Sequence, residues 1–498
     1  MAAAQATSSS SAFRAPKRQI TQDTFNECVR ENMEEFDMSE EDAIADAVTQ
    51  FESQGVDLST IVKSLVTAHP VLTALHALEE DEDGILNHLR TLEEQFRSPE
   101  LGAGAKELAG RHNGIAILLQ RLPACDPATA IVVLRALQSM VTSSKDNQNL
   151  VGEVGIATVY DTSLLSSHVA TQNAALACLK MICARNEGNK KRLTTHGVIA
   201  RLIVLFRERS ASSINSTDVA ELLRVLTIHD DADSMFSQAH DIVKQVVEND
   251  LIDLAVPHIR ATMPHAASST EAAAAAVAWM AVVKQLAVTE DHCRRLVAVG
   301  ILDLVRILHE EERQQSRALL THSLGLLRNL AAVDEYKTLL TTACMPSILQ
   351  IMRAHAADAS LQTMGCATIA AVCLRSPPNC DRVAELHGYK LVGLAMVSFP
   401  TNVVLLRQAS LAIRNMVVRN EHLHPLVLED VNVQAQLRRA LPLRGCGDEA
   451  YAALRDLGAD VPLASIGQSA ANFNPVMESS NQLASAMRDN AHAPFGSD

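Results

Sequence analysis

The chain has 498 residues, 48% of them apolar and only 3% aromatic, with a formal net charge of -15 at pH 7. That apolar share suffices for a continuous core, but Leu, Ile, Val and Ala must pack it. No 18-residue apolar run exists, and the longest candidate, Ala272 to Val283 between Glu271 and Lys284, is too short to span a bilayer. The charge is unevenly distributed. Residues 21–100 carry 20 Asp and Glu against 4 Lys and Arg, whereas residues 101–498 carry 38 against 36. Nothing resembles the basic footprint of a nucleic-acid binder. With 16 prolines, few β-branched runs and no alternating polar and apolar stretches, the composition predicts an all-α protein.

Residues 1–20 are Ala- and Ser-rich, acid-free and contain Arg14, Lys17 and Arg18. A disordered leader is expected, with a transit peptide as the alternative. Residues 21–63 form an acidic N-terminal helical element. Thr21 to Phe36 reads as an amphipathic helix with Phe25, Val29, Met33 and Phe36 on one face. Ser39, followed three residues later by Asp42, opens a second helix in the manner of a capping box. That helix turns Ile44, Ala47, Val48 and Phe51 inward and stops at Gly55. Asp57 then starts a short third helix through Leu58, Ile61 and Val62. Residues 64–100 predict an acidic helical linker of one or two helices.

From about 101 to 465 one phrase recurs roughly every 43 residues: an apolar helical stretch, a polar break, a second apolar stretch and a turn. The turns begin at Gly114, Gly155, Gly197, Asp250, Gly300, Cys344, Gly388 and Asp430, and five of the seven steps between them lie between 41 and 44 residues. Such a period predicts a helical solenoid, here of about eight repeats, whose units bury their apolar faces only by stacking. Ser210 to Thr217 and Ala261 to Thr270 interrupt it as exposed loops. Residues 466–498 lose periodicity and predict a disordered tail.

The second apolar stretch ends in Leu327-Arg328-Asn329-Leu330 in one unit and Ile413-Arg414-Asn415-Met416 in another. That phrase, with a glycine-initiated helix before it, resembles the third helix of an armadillo repeat rather than the two-helix HEAT unit. The resemblance extends to one armadillo lineage in particular. It is carried by Arg18 to Lys63 (with the stretches at 30–36 and 50–63), by 223–231, by 239–249 and by 452–461. It implies an intracellular, non-enzymatic armadillo protein; the expected fold is a right-handed armadillo superhelix and the expected function an interaction scaffold for other proteins.

In armadillo relatives such as beta-catenin and importin-alpha, an asparagine ladder on the third helices lines a concave groove and holds an extended peptide by its backbone. An amide can serve both an N–H and a C=O. At that position this chain has Ser139, Met181, Val225, Gln285, Asn329, Ala371 and Asn415. Only Asn329 and Asn415 match, with Gln285 as a substitute. The groove tryptophans of import receptors are missing, since Trp279 is the only one in the chain. The residue before each ladder position is basic in five of seven repeats: Lys180, Arg224, Lys284, Arg328 and Arg414. Two readings remain open. These charges form a row that attracts an acidic extended segment of a partner, or their long stems cover helix surface and pair with nearby carboxylates.

Chemistry is sparse elsewhere. The 18 histidines form no HExxH, and no phosphate loop or nucleophile elbow occurs. No enzyme, no cofactor and no metal site is predicted. The 10 cysteines contain no CxxC pair and predict buried reduced thiols in a reducing compartment. The expected setting is a monomer in the cytoplasm, with the nucleus as a second location, and with protein partners rather than nucleic acid or membrane. Glu40-Glu41-Asp42 with Ile44 and Ala47 resembles the start of a ubiquitin-interacting motif, but Phe51 stands where that motif needs serine. The alternative function makes the N-terminal element the binding module and the solenoid a rigid arm. The element could also compete for the basic row or cap the first repeat.

Overall fold

The structure is a computed structural model and describes residues 18–36, 38–58, 61, 69–80, 84–209, 216–266, 268–310 and 316–461. The leader to residue 17 and the tail from 462 lie outside the described residues, as do most of the loop at Ser210 to Thr217 and the segment 62–68. The chain divides into two compact units, Met1–Leu193 and Thr194–Asp498.

The first unit opens with the acidic element. Helices Gln22–Phe36 and Glu40–Ser53 pack against each other, and Arg18–Gln19 pairs in parallel with Val56–Asp57 over two residues. Phe25, Val29, Ala43, Ala47, Phe51, Val56, Leu58 and Ile61 form a core closed within the element. Ala43, Ala47 and Phe51, spaced by four, define the inner face of the second helix, so Ile44 and Val48 lie at its flanks. Phe36, expected inside, is 64% exposed because it falls on the last helical residue, beyond the partner helix. Ser39 caps the second helix by accepting from the Asp42 amide at 3.2 Å, but its hydroxyl donates to the Asp42 carboxylate at 2.7 Å instead of forming the reciprocal backbone bond. Gly55, at φ +75°, ends it as expected. In place of the expected third-helix start, Val56 and Asp57 are extended; the rest of that segment is largely outside the described residues.

Beyond it lie helices Pro70–Glu79 and Ile85–Arg97, then two repeats of three helices. In the first, Gly102–Arg111, Gly114–Arg121 and Pro127–Val141 follow in order; in the second, Lys145–Val154, a short helical segment from Ile156 to Leu164, and Val169–Cys183. The last helices stack in sequence, Ile85–Arg97 on Pro127–Val141 and that on Val169–Cys183.

In the second unit the same stacking joins third helices Thr217–Leu226, Thr270–Leu286, Arg317–Leu330, Ala359–Cys373, Val403–Val417 and Gly447–Asp456. Their starts are written in the sequence: Ser269, Ser316, Asp358 and Asn402 each accept a backbone N–H two or three residues on. The recurring turn is also explained. Asp250, Gly300 and His387 have φ of 63°, 82° and 58°, the left-handed region that Gly, Asn, Asp and His enter most readily. Gly388 follows that residue and is small for a different reason: a β-carbon there would lie 2.6 Å from Val383 Cγ1. The loop expected at Ala261 to Thr270 is shorter than its composition suggests, because Leu251–Thr262 continues as a 3-10 turn over Met263–His265.

Polar side chains of the first helices close the seams between repeats. Asn147 Nδ2 donates to the Lys106 and Met140 carbonyls at 3.0 and 3.2 Å, and Asn189 Nδ2 to those of Gln148 and Ile182 at 2.7 and 3.0 Å. These asparagines lie on Gly110 and Gly152, where a β-carbon would collide with their Oδ1 atoms. The neighbouring residue reaches forward: Lys106 Nζ donates to Thr142 O at 2.8 Å, Gln148 Nε2 to Ala184 O at 3.1 Å and Lys337 Nζ to Leu374 O at 2.8 Å. Each recipient is the C-terminal cap of the third helix of the same repeat, where carbonyls lack intrahelical partners.

Candidate functional site

All five basic residues of the expected row sit in the last turn of a third helix. There the unpaired carbonyls favour a cation, which explains their recurrence without any ligand. The structure then separates them. Lys180 is half-buried on Val169–Cys183 in the first unit. Within the second unit, Arg224, Lys284 and Arg328 come from three consecutive stacked helices, and both arginines act on Lys284. Burial, followed by Arg328 and then Arg224, pushes the Lys284 ammonium down to about 8. Burial also lowers the Arg328 guanidinium. His322, two turns before Arg328, is held down to about 4 by burial, then by Lys284 and Arg224. Among the described residues, no carboxylate stands within ion-pair distance of Lys284 or Arg224.

Gly325 makes this crowding possible. A β-carbon there would lie 3.0 Å from Lys284 Cδ, so the lysine stem rests across the bare helix between His322 and Arg328. A mid-helix glycine one turn before the Arg-Asn pair was the sequence signal for this arrangement; His322 itself carried none.

The amide ladder differs from the expectation. Asn329 is 7% exposed; its Nδ2 donates to Lys284 O at 3.0 Å and its Oδ1 accepts from Arg328 Nη2 at 3.1 Å. Asn415 Nδ2 donates to Ala370 O at 2.9 Å. Gln285 is 2% exposed, with Oε1 accepting from Thr227 Oγ1 at 2.6 Å. These amides tie neighbouring helices together, and the buried Asn329 and Gln285 do not present the paired donor and acceptor a peptide backbone would need. Arg414 is removed from the row in another way. Its Nε donates to Asp456 at 3.0 Å on the next third helix, while Ala370 and Ala371 leave a gap on the helix before it.

Other polar clusters are structural. His309 is buried between Ser323 Oγ at 2.9 Å and Ser347 Oγ at 3.1 Å, and burial lowers it to about 3. Trp279 Nε1 donates to Ser216 Oγ at 3.0 Å, which bonds His258 at 2.9 Å, and Phe206 stacks on the indole at 4.0 Å between centroids. Among the described residues no group of three or more His, Cys, Asp or Glu could hold a metal, and no helix is long and apolar enough to cross a membrane. All 10 cysteines are free, and all but Cys28 and Cys125 are buried. In the first unit a cleft of about 1310 Å³ lies between Ile20, Thr21, Phe96, Lys106, Arg135 and Asn147. Its Lys106, Arg97 and Arg111 already have partners in Thr142, Glu93 and Glu107.

Residues 17–83 match the N-terminal domain of armadillo repeat-containing protein 6. The human armadillo repeat-containing protein 6 is 27% identical over 399 residues, covering 75% of this chain and 77% of the relative. The chain has an armadillo-type helical fold and is similar to armadillo repeat-containing protein 6. The Drosophila melanogaster homolog is 23% identical over 373 residues, covering 72% of this chain and 77% of its own length. Among solved structures, an engineered protein aligns with a TM-score of 0.56 at 13% identity, over 89% of this chain and all of that one, which bears on the fold alone. An armadillo array is built from three-helix units, in agreement with the repeats described above. In its terms, the Arg224–Lys284–Arg328 cluster lies on the third helices and near their C-terminal ends.

Proposed function

We propose that this chain is a non-enzymatic interaction scaffold whose Arg224–Lys284–Arg328 cluster receives an acidic, extended segment of a protein partner. One observation carries the reading: Lys284 lies buried beside Arg224, Arg328 and His322, and among the described residues no carboxylate pairs with Lys284 or Arg224. Keeping like charges together out of water is unfavourable, and an incoming carboxylate relieves it. Such a ligand gains chiefly in association rate and specificity, and its binding weakens with salt. With Gln285 and Asn329 turned inward, side-chain charge rather than backbone pairing supplies the recognition. Buried free thiols support a reducing compartment, and we place the protein in the cytoplasm, as a monomer.

Fluorescence anisotropy with a labelled Glu-rich peptide tests this. Binding that falls with salt and is lost in Arg224→Glu/Lys284→Glu/Arg328→Glu supports the reading. Equal binding by that variant, with its helical signal intact, overturns it.

A second reading has its own support. The core of residues 20–61 closes on itself, so the acidic element can act as a separate binding module. Deleting residues 1–63 while retaining the peptide binding above would assign the two functions to different regions.

A further inference from the structure

Six junctions between a third helix and the next first helix are three residues long, for example Ala287–Thr289, Ala331–Val333 and Leu374–Ser376. The junction after Thr217–Leu226 is twelve residues long, Thr227 to Gln238. The fold does not need this extra chain, yet the extra chain is well built. His229 Nε2 and Ser234 O lie 3.1 Å apart, Ser234 Oγ donates to Phe236 O at 2.7 Å, and the Asp233 amide donates to Asp231 Oδ1 at 3.2 Å. Ser237 Oγ accepts from the Ala239 amide at 3.1 Å and starts the following helix. At the tip, Met235 is 90% and Phe236 86% exposed, whereas the next most exposed large apolar side chain among the described residues, Phe36, is 64% exposed.

Two adjacent large apolar side chains held in water by a hydrogen-bonded loop are costly to a protein acting alone. Pre-ordering of this kind lowers the entropy lost on binding, and a Met-aromatic pair is the composition enriched at the centres of interfaces. The surroundings specify the partner further. Between Arg224 and Lys244 the sequence has Asp230, Asp231, Asp233 and Asp241 and no Lys or Arg, and Asp233 and Asp241 are exposed. We infer that the Thr227–Gln238 loop is a docking knob that inserts Met235 and Phe236 into an apolar pocket, rimmed by basic residues, on a folded protein partner. This site uses residues other than those of the cationic cluster and takes a ligand of opposite character.

The test uses the full chain and two variants, Met235→Ser/Phe236→Ser and Lys284→Glu/Arg328→Glu, each first checked for an unchanged melting temperature. Proteins retained by the wild type and lost by the loop variant are purified and titrated directly. The expected result is a purified soluble protein that binds the wild type and loses at least tenfold in affinity to the loop variant. The same protein should bind the cluster variant within twofold and weaken as salt is raised. The inference is overturned if no purified protein behaves this way. It is also overturned if the loop variant instead abolishes self-association in light scattering, or abolishes binding to phosphatidylcholine–phosphatidylserine vesicles. Those outcomes would assign the knob to a second copy or to a bilayer.

Discussion

Lys284 and Arg414 occupy the same place in their repeats, in the last turn of a third helix one residue before the ladder position, yet they meet opposite surroundings. The helix following Arg414 offers Asp456, which accepts from it at 3.0 Å and also bonds Arg455. The helices on either side of Lys284 offer Arg224 and Arg328, and the ammonium is driven down to about 8. Helix ends attract cations in both cases. What differs is the neighbour, so the repeat fixes the position of a charge while the stacking partner fixes whether it is neutralised. A surface can thus be charged locally in a stretch whose overall balance is close to zero.

The largest effect expected from breaking this contrast is on binding. Arg224→Glu/Lys284→Glu/Arg328→Glu should weaken a Glu-rich peptide by about 100-fold or more, since several charge contacts reverse together. Arg414→Glu should change that affinity by less than about threefold, because its charge is already taken up by Asp456. Anisotropy titrations at fixed ionic strength compare the two.

Next is acid stability. His309 and His322 have folded values of about 3 and about 4, below their ordinary 6.5. The folded state therefore binds fewer protons than the unfolded one. Their contribution is complete above about 6.5 and is lost as pH falls towards 4 and then 3. Melting temperatures from pH 7 to 4 should drop less steeply in His309→Gln/His322→Gln than in the wild type, once both are referred to their values at pH 7.

Single substitutions at the two compared residues should move stability in opposite directions. Lys284→Met removes a crowded, desolvated charge while keeping the stem, and should stabilise by roughly 1 kcal/mol. Arg414→Met leaves Asp456 with Arg455 alone and should cost about 1 kcal/mol. Urea unfolding measures both, and a shared sign would remove the distinction. The smallest effect is on titration. Lys284→Met should raise the His322 pKa in NMR titration without restoring its ordinary value, since burial is the main cause of its lowering, and Arg414→Met should leave it in place.

The repeat was legible because it rests on short-range rules. Apolar periodicity, Ser, Asp or Asn caps and the left-handed turn residue Gly300 lie within a few positions of the elements they define. Asp250 and His387 fill the same turn conformation without glycine, which is why the phrase looks worn there. The site was legible only in part. The basic residues were visible as last-turn cations, but whether each meets a carboxylate such as Asp456 or another cation depends on a residue a whole repeat or more away. The Asn329 and Asn415 positions are readable in the sequence, but their Nδ2 bonds to the preceding third helix are not, since a ladder residue looks the same whether or not a neighbouring helix takes up its amide. Phe36 was misplaced because periodicity does not show where the partner helix stops. The long junction after Leu226 was visible as an irregular step, but its ordered apolar tip was not.

The seam bonds bear on how this protein can be divided. Asn329 is held by the carbonyl of Lys284 in the repeat before it, and Lys337, on the first helix of its repeat, closes the end of the third helix that finishes at Cys373. A boundary placed between repeats cuts through such bonds even where the intervening turn looks dispensable. A fragment starting at Met345 would keep every residue of the helix Ala359–Cys373 and still leave the Leu374 carbonyl without the ammonium that caps it. Expressible pieces of this chain should therefore begin one first helix earlier than the surface they are meant to carry.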